Sequence, residues 1–154
     1  MLLYHGSDCK IEFPEIRKTK YSKDFSWGFY CTNNYEQACR WAERKLINAF
    51  INVYEYSENQ ELKILKFSDM NDEWLNFIAK CRKGILHDYD IVEGPMADDT
   101  IWNYLQDFLS KEISREVFWK LIEFRYPTHQ ISFHSAKALT TLQFLKGSKV
   151  IDEE

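Results

Sequence analysis

The hydrophobic and polar positions along the chain follow two periods, which predicts a mixture of strands and helices. Alternating or short unbroken apolar runs predict strands at 1–5, 29–32, 51–56, 62–67, 90–93 and 130–134. The fifth of these strands is expected to end at Gly94-Pro95. Apolar residues at helical spacing predict helices over 35–49, 72–83, 97–110 and 114–124, with Asn34 and Ser114 as N-caps. The pattern indicates one α+β domain over 1–154, in which strands near both termini pair centrally.

Composition and charge narrow the class of protein further. A net charge of −4 gives no global attraction to a polyanion, whereas an aromatic content of 16% suits stacking on planar ligands. The four cysteines form no C-x-x-C pair, so no metal site is expected. The chain shows no secretory signal, and it has no apolar run of the roughly 18 residues that span a bilayer. These features predict a soluble, cytoplasmic protein without a membrane partner.

The N-terminal quarter of the chain carries the strongest candidate chemistry. His5-Gly6-Ser7 ends the first strand, Gly28-Phe29-Tyr30 opens the second, and Trp41 lies on the following helix. An imidazole hydrogen-bonds near neutrality, a glycine lets the backbone approach a ligand, and aromatic faces stack on flat rings. Alternation puts Phe29 and Tyr30 on opposite faces, so that one enters the core while the other lines a cleft. The combination predicts a pocket for a flat heterocycle such as nicotinamide. The alternative is a hydrogen-bonded turn with Trp41 in the core.

In this order and spacing, residues 1–42 and 128–146 resemble the ADP-ribosyltransferase fold of the poly(ADP-ribose) polymerase type. The late segment contributes Gln130-Ile131-Ser132-Phe133-His134, and the run 94–99 is similar to compact bacterial toxin-like members. The resemblance implies a central split β-sheet with flanking helices and NAD as co-substrate. Its implied binding roles are a ribose contact for His5, a backbone pair with the nicotinamide amide for Gly6, a turn or adenosine contact for Ser7, and nicotinamide stacking for Tyr30 and Trp41.

Two positions depart from the pattern of that family. Its small serine on the helix falls at Ala38, and its late-strand glutamate is absent. The residues left as candidates in the strand are His129, Gln130 and Ser132. Because the departing nicotinamide leaves positive charge on the ribose, the site needs a negative group or an acceptor there. We expect Gln130 to bind the ribose hydroxyls, with Asp98 or Asp99 supplying the carboxylate. The alternative is a purely structural role, with Asp98 as the N-cap of a helix and Asp99 in its first turn.

The resemblance implies a mono-ADP-ribosyltransferase that moves ADP-ribose from NAD to a protein or nucleic-acid acceptor and releases nicotinamide. The expected setting is a bacterial toxin with a cognate antitoxin, or a defence system. The absent glutamate leaves open a non-catalytic NAD- or ADP-ribose-binding module of the same fold. RNA 2′-phosphotransferase chemistry would need several basic residues around the extra phosphate, and the sequence shows no such set.

Overall fold

Seven strands and five helices make up the described part of the computed structural model, which covers residues 1–18, 23–44, 48–125 and 128–150, without the side chain of Asp99. In chain order they are β1 (Leu2–Ser7), β2 (Phe29–Cys31), α1 (Tyr35–Glu43), β3 (Phe50–Tyr56), β4 (Ile64–Lys66), α2 (Asp72–Arg82), β5 (Ile91–Met96), α3 (Asp99–Leu109), α4 (Arg115–Leu121), β6 (Thr128–Phe133), α5 (Ala136–Leu139) and β7 (Leu142–Lys149). The fold is α+β, as the sequence pattern predicted.

The strands form two sheets that meet at one bridge. One sheet has the order β1-β3-β7, and the other has the order β2-β6-β5-β4, in which only β4 and β5 run parallel. Tyr4 and Thr32 connect the sheets through two backbone hydrogen bonds of 2.8 and 2.9 Å. The prediction that the terminal strands pair with each other is wrong, because β3 lies between β1 and β7. Five of the seven residues of β3 are buried, as suits a central strand, whereas β7 is largely exposed and includes Lys146 and Lys149.

The element boundaries follow local chemistry at several of the predicted positions. The Asn34 side chain accepts the N–H of Gln37, and Ser114 caps α4, so both predicted N-caps are confirmed. Of the predicted extension of the first helix to residue 49, residues 45–47 lie outside the described part of the chain. The predicted strand end at Gly94-Pro95 is wrong, because β5 continues to Met96. Pro95 is tolerated in β5 because β4 pairs only with residues 91–93, so the β4 side of β5 has no strand partner at position 95 that would need its missing N–H.

Three groups of buried side chains hold the layers together. The group between the sheets includes Leu3, Tyr54 and Phe133. A second group packs α2, α3 and α4 against the opposite face of the β2-β6-β5 sheet, and a third packs α1 against β3. Each sheet therefore has one helix-covered face and one face toward the other sheet. No helix in the described ranges is both long enough and apolar enough to cross a membrane.

Candidate functional site

The two sheets separate beside the His-Gly-Ser end of β1. Tyr4 exchanges both of its backbone hydrogen bonds with Thr32, so its N–H and C=O point away from β3. Gly6 lies two residues further along β1, and backbone groups alternate between the two edges of a strand. The N–H and C=O of Gly6 therefore point to the same side, toward Tyr30. The Tyr4–Thr32 bridge is isolated, so β1 and β2 separate beyond it and leave a gap between the sheets, while β2 is hydrogen-bonded to β6 along its other edge.

His5 spans this gap with its side chain. Its Nδ1 lies 2.5 Å from the carbonyl oxygen of Tyr30, and its ring stacks on Phe29 at a centroid distance of 4.2 Å. A carbonyl can only accept, so Nδ1 carries the proton. Ser7 is buried, and its hydroxyl donates to Asp8 at 3.4 Å. The structure thus places the His5 side chain against the Tyr30 backbone, and it places the Ser7 hydroxyl next to Asp8 at the end of β1.

Gly6 also permits a close approach between β1 and α1. A Cβ atom at this position would overlap the carbonyl oxygen of Ala38, and it would lie 2.8 Å from the nitrogen of Ala42 and 3.1 Å from Cβ of Trp41. We predicted that Gly6 lets the backbone approach a ligand. On the face where a side chain would lie, the space is instead filled by the backbone of α1. The close approach places the half-buried Trp41 next to the β1 edge.

Tyr30 is more buried than the sequence predicted. The ring of Phe29 packs between the sheets, and both side chains are almost covered, so neither lines an open cleft and that prediction is wrong. The Tyr30 hydroxyl donates to the Ser26 carbonyl at 2.5 Å and accepts the N–H of Phe25 at 3.0 Å. Burial raises the pKa of Tyr30 well above its ordinary value. Lys23 Nζ lies over the ring, 4.9 Å from its centroid.

Gln130 lies in a buried polar cluster on the helix-covered face of β6. Its Nε2 donates to Asp24 Oδ2 at 3.1 Å and to the Pro95 carbonyl at 3.3 Å. Asp24 also accepts Arg82 through Nε and Nη2, at 3.1 and 2.5 Å, and the N–H of Ala97 at 3.2 Å. The carboxylate bonded to Gln130 is therefore Asp24. Sequence reasoning missed it because Asp24 lies in an irregular polar stretch without motif or periodicity.

The two aspartates predicted to assist Gln130 begin α3. Asp98 is the N-cap, and its Oδ1 accepts the N–H of Ile101 at 2.8 Å. Asp99 is the first residue of the helix, and its side chain lies outside the described part of the structure. The capping alternative accounts for Asp98, since helix N-termini favour such a side chain. A role for either aspartate near a ribose stays a prediction.

Three of the predicted residues share one face of the joined sheets. Tyr30 is paired with Ser132, and paired or alternate residues point to the same face, so Gln130 lies on the Tyr30 face. The bridge between the sheets extends this face to Gly6. His5 belongs to the opposite face and enters the gap through Nδ1. The site therefore consists of the Gly6 edge, Tyr30, Gln130 and the adjoining α1.

The other two candidates for the late-strand position are engaged elsewhere. His129 lies on the opposite face of β6, where Nδ1 accepts the N–H of Asn33 and Nε2 donates to Glu93 at 3.1 Å. This hydrogen bond lowers the pKa of Glu93. His129 and Glu93 line a cavity of about 490 Å³ at the ends of β4 and β5. The Ser132 hydroxyl is buried and contacts the Val92 carbonyl and the ring of His134. Neither residue replaces the glutamate beside Tyr30.

The described cysteines are free thiols in unrelated places. Cys31 and Cys81 are buried, Cys9 is exposed, and burial raises the pKa of both buried thiols. Within the ranges that the structure describes, no group of three or more histidine, cysteine or acidic side chains is arranged to hold a metal ion.

These observations define an α+β protein in which two sheets diverge beside a His-Gly-Ser strand end and a helix-borne tryptophan. The family model described as a protein of unknown function, DUF3990, matches residues 1–144, so the chain belongs to that family. No curated protein matches the chain in sequence.

Proposed function

We propose that the protein is a mono-ADP-ribosyltransferase with an ADP-ribosyltransferase-like fold of the poly(ADP-ribose) polymerase type. NAD is the co-substrate, and a protein or nucleic acid is the acceptor. The observation that carries the proposal is the Gly6 edge, where one N–H and one C=O point into the gap next to Tyr30. A carboxamide has one acceptor and a donor group, so this edge is complementary to the nicotinamide amide. Trp41 on α1 lies beside it.

The chemistry is a substitution at the ribose carbon attached to nicotinamide. The bond between C1′ and the ring nitrogen breaks, and its electron pair leaves with nicotinamide, which becomes neutral. A lone pair of the acceptor forms the new bond to C1′, and the proton that the acceptor loses passes to water. In this proposal the nicotinamide ring lies against Trp41 and displaces the Lys23 ammonium from the face of Tyr30, His5 and Gln130 contact the ribose, and Ser7 supports the turn. The biological setting is a toxin with a cognate antitoxin, or a defence system, by analogy with the resemblance alone.

Nicotinamide release tests the proposal directly. With NAD labelled in its adenine part, the wild-type protein is expected to release nicotinamide and to label a protein or RNA acceptor. His5→Ala and Trp41→Ala are expected to slow nicotinamide release about five- to thirtyfold, since each removes a contact worth roughly 1–2 kcal/mol. Trp119→Ala, a half-buried tryptophan on α4, is the matched control and should retain the wild-type rate. Equal rates for wild type and His5→Ala would contradict the assignment.

A second candidate is a non-catalytic NAD- or ADP-ribose-binding module of the same fold. The buried cluster favours it, because Gln130 carries no charge and the neighbouring Asp24 is ion-paired with Arg82. Calorimetric titration with NAD, combined with the nicotinamide assay, separates the two. Binding without any release under every acceptor condition would support the module and end the transferase proposal.

Lys23 provides an additional test of the nicotinamide position. The nicotinamide ring of NAD is a cation, and Lys23 Nζ already lies in a cation–π position over Tyr30. Removal of this competing ammonium by Lys23→Ala is expected to increase NAD affinity by about three- to tenfold. Lys63→Ala removes an ammonium 5.1 Å from the ring of Tyr89 and should leave the affinity unchanged. Weaker NAD binding by Lys23→Ala would argue against stacking on this face.

A further inference from the structure

We infer that Asp24 is a positioning residue that fixes the orientation of the Gln130 amide, so that the two residues together occupy the role of the absent glutamate. The orientation follows from contacts within the chain, and the catalytic consequence rests on the proposed function. Asp24 and Gln130 lie 106 positions apart in sequence and are both buried.

The orientation of the amide is determined by the chemistry of its neighbours. Gln130 Nε2 faces Asp24 Oδ2 and the Pro95 carbonyl, and both of these oxygens can only accept hydrogen bonds. A flipped amide would turn Oε1 toward two acceptors at a buried position and lose both hydrogen bonds. Gln130 Oε1 must therefore point away from them. None of the described residues donates to it, so it is presented as an acceptor on the face shared with Tyr30.

Asp24 is suited to this role because its own position is rigid. Arg82 donates to Oδ1 twice, while Gln130 and the N–H of Ala97 donate to Oδ2. Trp102 stacks against the Arg82 guanidinium at 3.9 Å from the ring centroid. An amide that donates to a carboxylate is also polarised, which makes its oxygen a stronger acceptor for a ribose hydroxyl.

The same contacts explain why glutamine rather than glutamate follows His129 in β6. A glutamate side chain there would put a second carboxylate against Asp24 Oδ2 and the Pro95 carbonyl, without a proton to share between them. Two carboxylates at this distance in a buried site cannot both ionise. In place of the glutamate that the family pattern has in this strand, the carboxylate of the site is Asp24, in the segment before β2. Glutamine at position 130 is compatible with Asp24 because it can donate to it.

The experiment compares Asp24→Asn, Gln130→Glu and the exchange variant Asp24→Asn/Gln130→Glu. Thermal melting at neutral pH and the kcat and KM of nicotinamide release are measured for each. Gln130→Glu is expected to melt several degrees below wild type. The exchange variant should recover at least half of that loss, since the amide introduced by Asp24→Asn donates to the carboxylate introduced by Gln130→Glu. Asp24→Asn alone should lower kcat about tenfold with little change in KM for NAD, because the glutamine amide is then free to flip.

Glu93→Gln is the matched control, since Glu93 is a partly buried carboxylate hydrogen-bonded on the opposite face of the same sheet. Its kcat should equal that of wild type. An exchange variant that melts no higher than Gln130→Glu would overturn the inferred orientation, whatever the activity. An unchanged kcat in Asp24→Asn would overturn the positioning role. A wild-type protein that releases no nicotinamide refutes the proposed function, and the melting comparison still decides the orientation.

Discussion

Replacing Gly6 by alanine is expected to destabilise the protein by about 3 kcal/mol or more. The added methyl group would overlap the Ala38 carbonyl oxygen and lie 2.8 Å from the Ala42 nitrogen. Both are backbone atoms of α1, so no side-chain rotation relieves the overlap, and the helix must move off β1. Urea unfolding followed by circular dichroism measures the loss. The displacement would also carry Trp41 away from the Gly6 edge, so we expect NAD binding to weaken in the same variant.

Gly84→Ala is the control for the loss of backbone freedom. Gly84 has a φ of +86°, and a Cβ atom there would meet nothing within 4 Å. Its cost is limited to placing alanine in the left-handed region, about 1 kcal/mol. A Gly6→Ala variant as stable as Gly84→Ala would mean that α1 does not pack on β1 as described. The proposed place of Trp41 beside the nicotinamide would then lose its support.

The features that sequence predicted well are those decided by neighbouring residues. Asn34 and Ser114 cap their helices through hydrogen bonds that reach three residues along the chain. The strand β3 is evident from its own alternation, although that pattern predicts a half-buried strand and the structure buries residues on both of its faces. Such signals depend on local geometry, so one sequence is enough to recognise them.

The features that sequence did not predict depend on contacts between distant segments. The reason for glycine at position 28 is the ring of His134, which would lie 2.8 Å from an added Cβ. Asp24 is joined to Gln130 only by the folding of the loop before β2 onto β6 and β5. The glycines of the His-Gly-Ser and Gly-aromatic motifs both lie where two segments pack closely. The packing that makes these glycines necessary is not encoded in their spacing, because it arises from α1 in one case and from His134 and the end of β6 in the other.

The half-buried His134 should make stability depend on pH between about 4 and 6.5. Its Nδ1 donates to the Trp27 carbonyl at 2.8 Å, and its Nε2 lies 2.7 Å from the Ser132 hydroxyl. The pKa of His134 is lowered to about 4, mainly by burial and also by the neighbouring His87, while the Trp27 hydrogen bond and Asp90 oppose the shift. The unfolded chain binds the proton near pH 6.5, whereas the folded chain resists it. The contribution to stability is therefore complete above pH 6.5, decreases as the pH falls below that value, and is lost by about pH 4.

The magnitude of this loss is about 3 kcal/mol, since each pKa unit corresponds to roughly 1.4 kcal/mol. Urea unfolding at a series of pH values between about 4 and 7 measures it as a falling midpoint. His134→Gln keeps one donor and one acceptor but cannot titrate, so the difference between wild type and this variant isolates the histidine from the carboxylates that also titrate at the acid end. Parallel stability curves for the two proteins would show that His134 is not buried in its neutral form. If stability falls more steeply with pH in wild type than in His134→Gln, the neutral imidazole stabilises the sheet that carries Tyr30 and Gln130. Gly28 would then contribute as well, because its missing side chain leaves room for that imidazole.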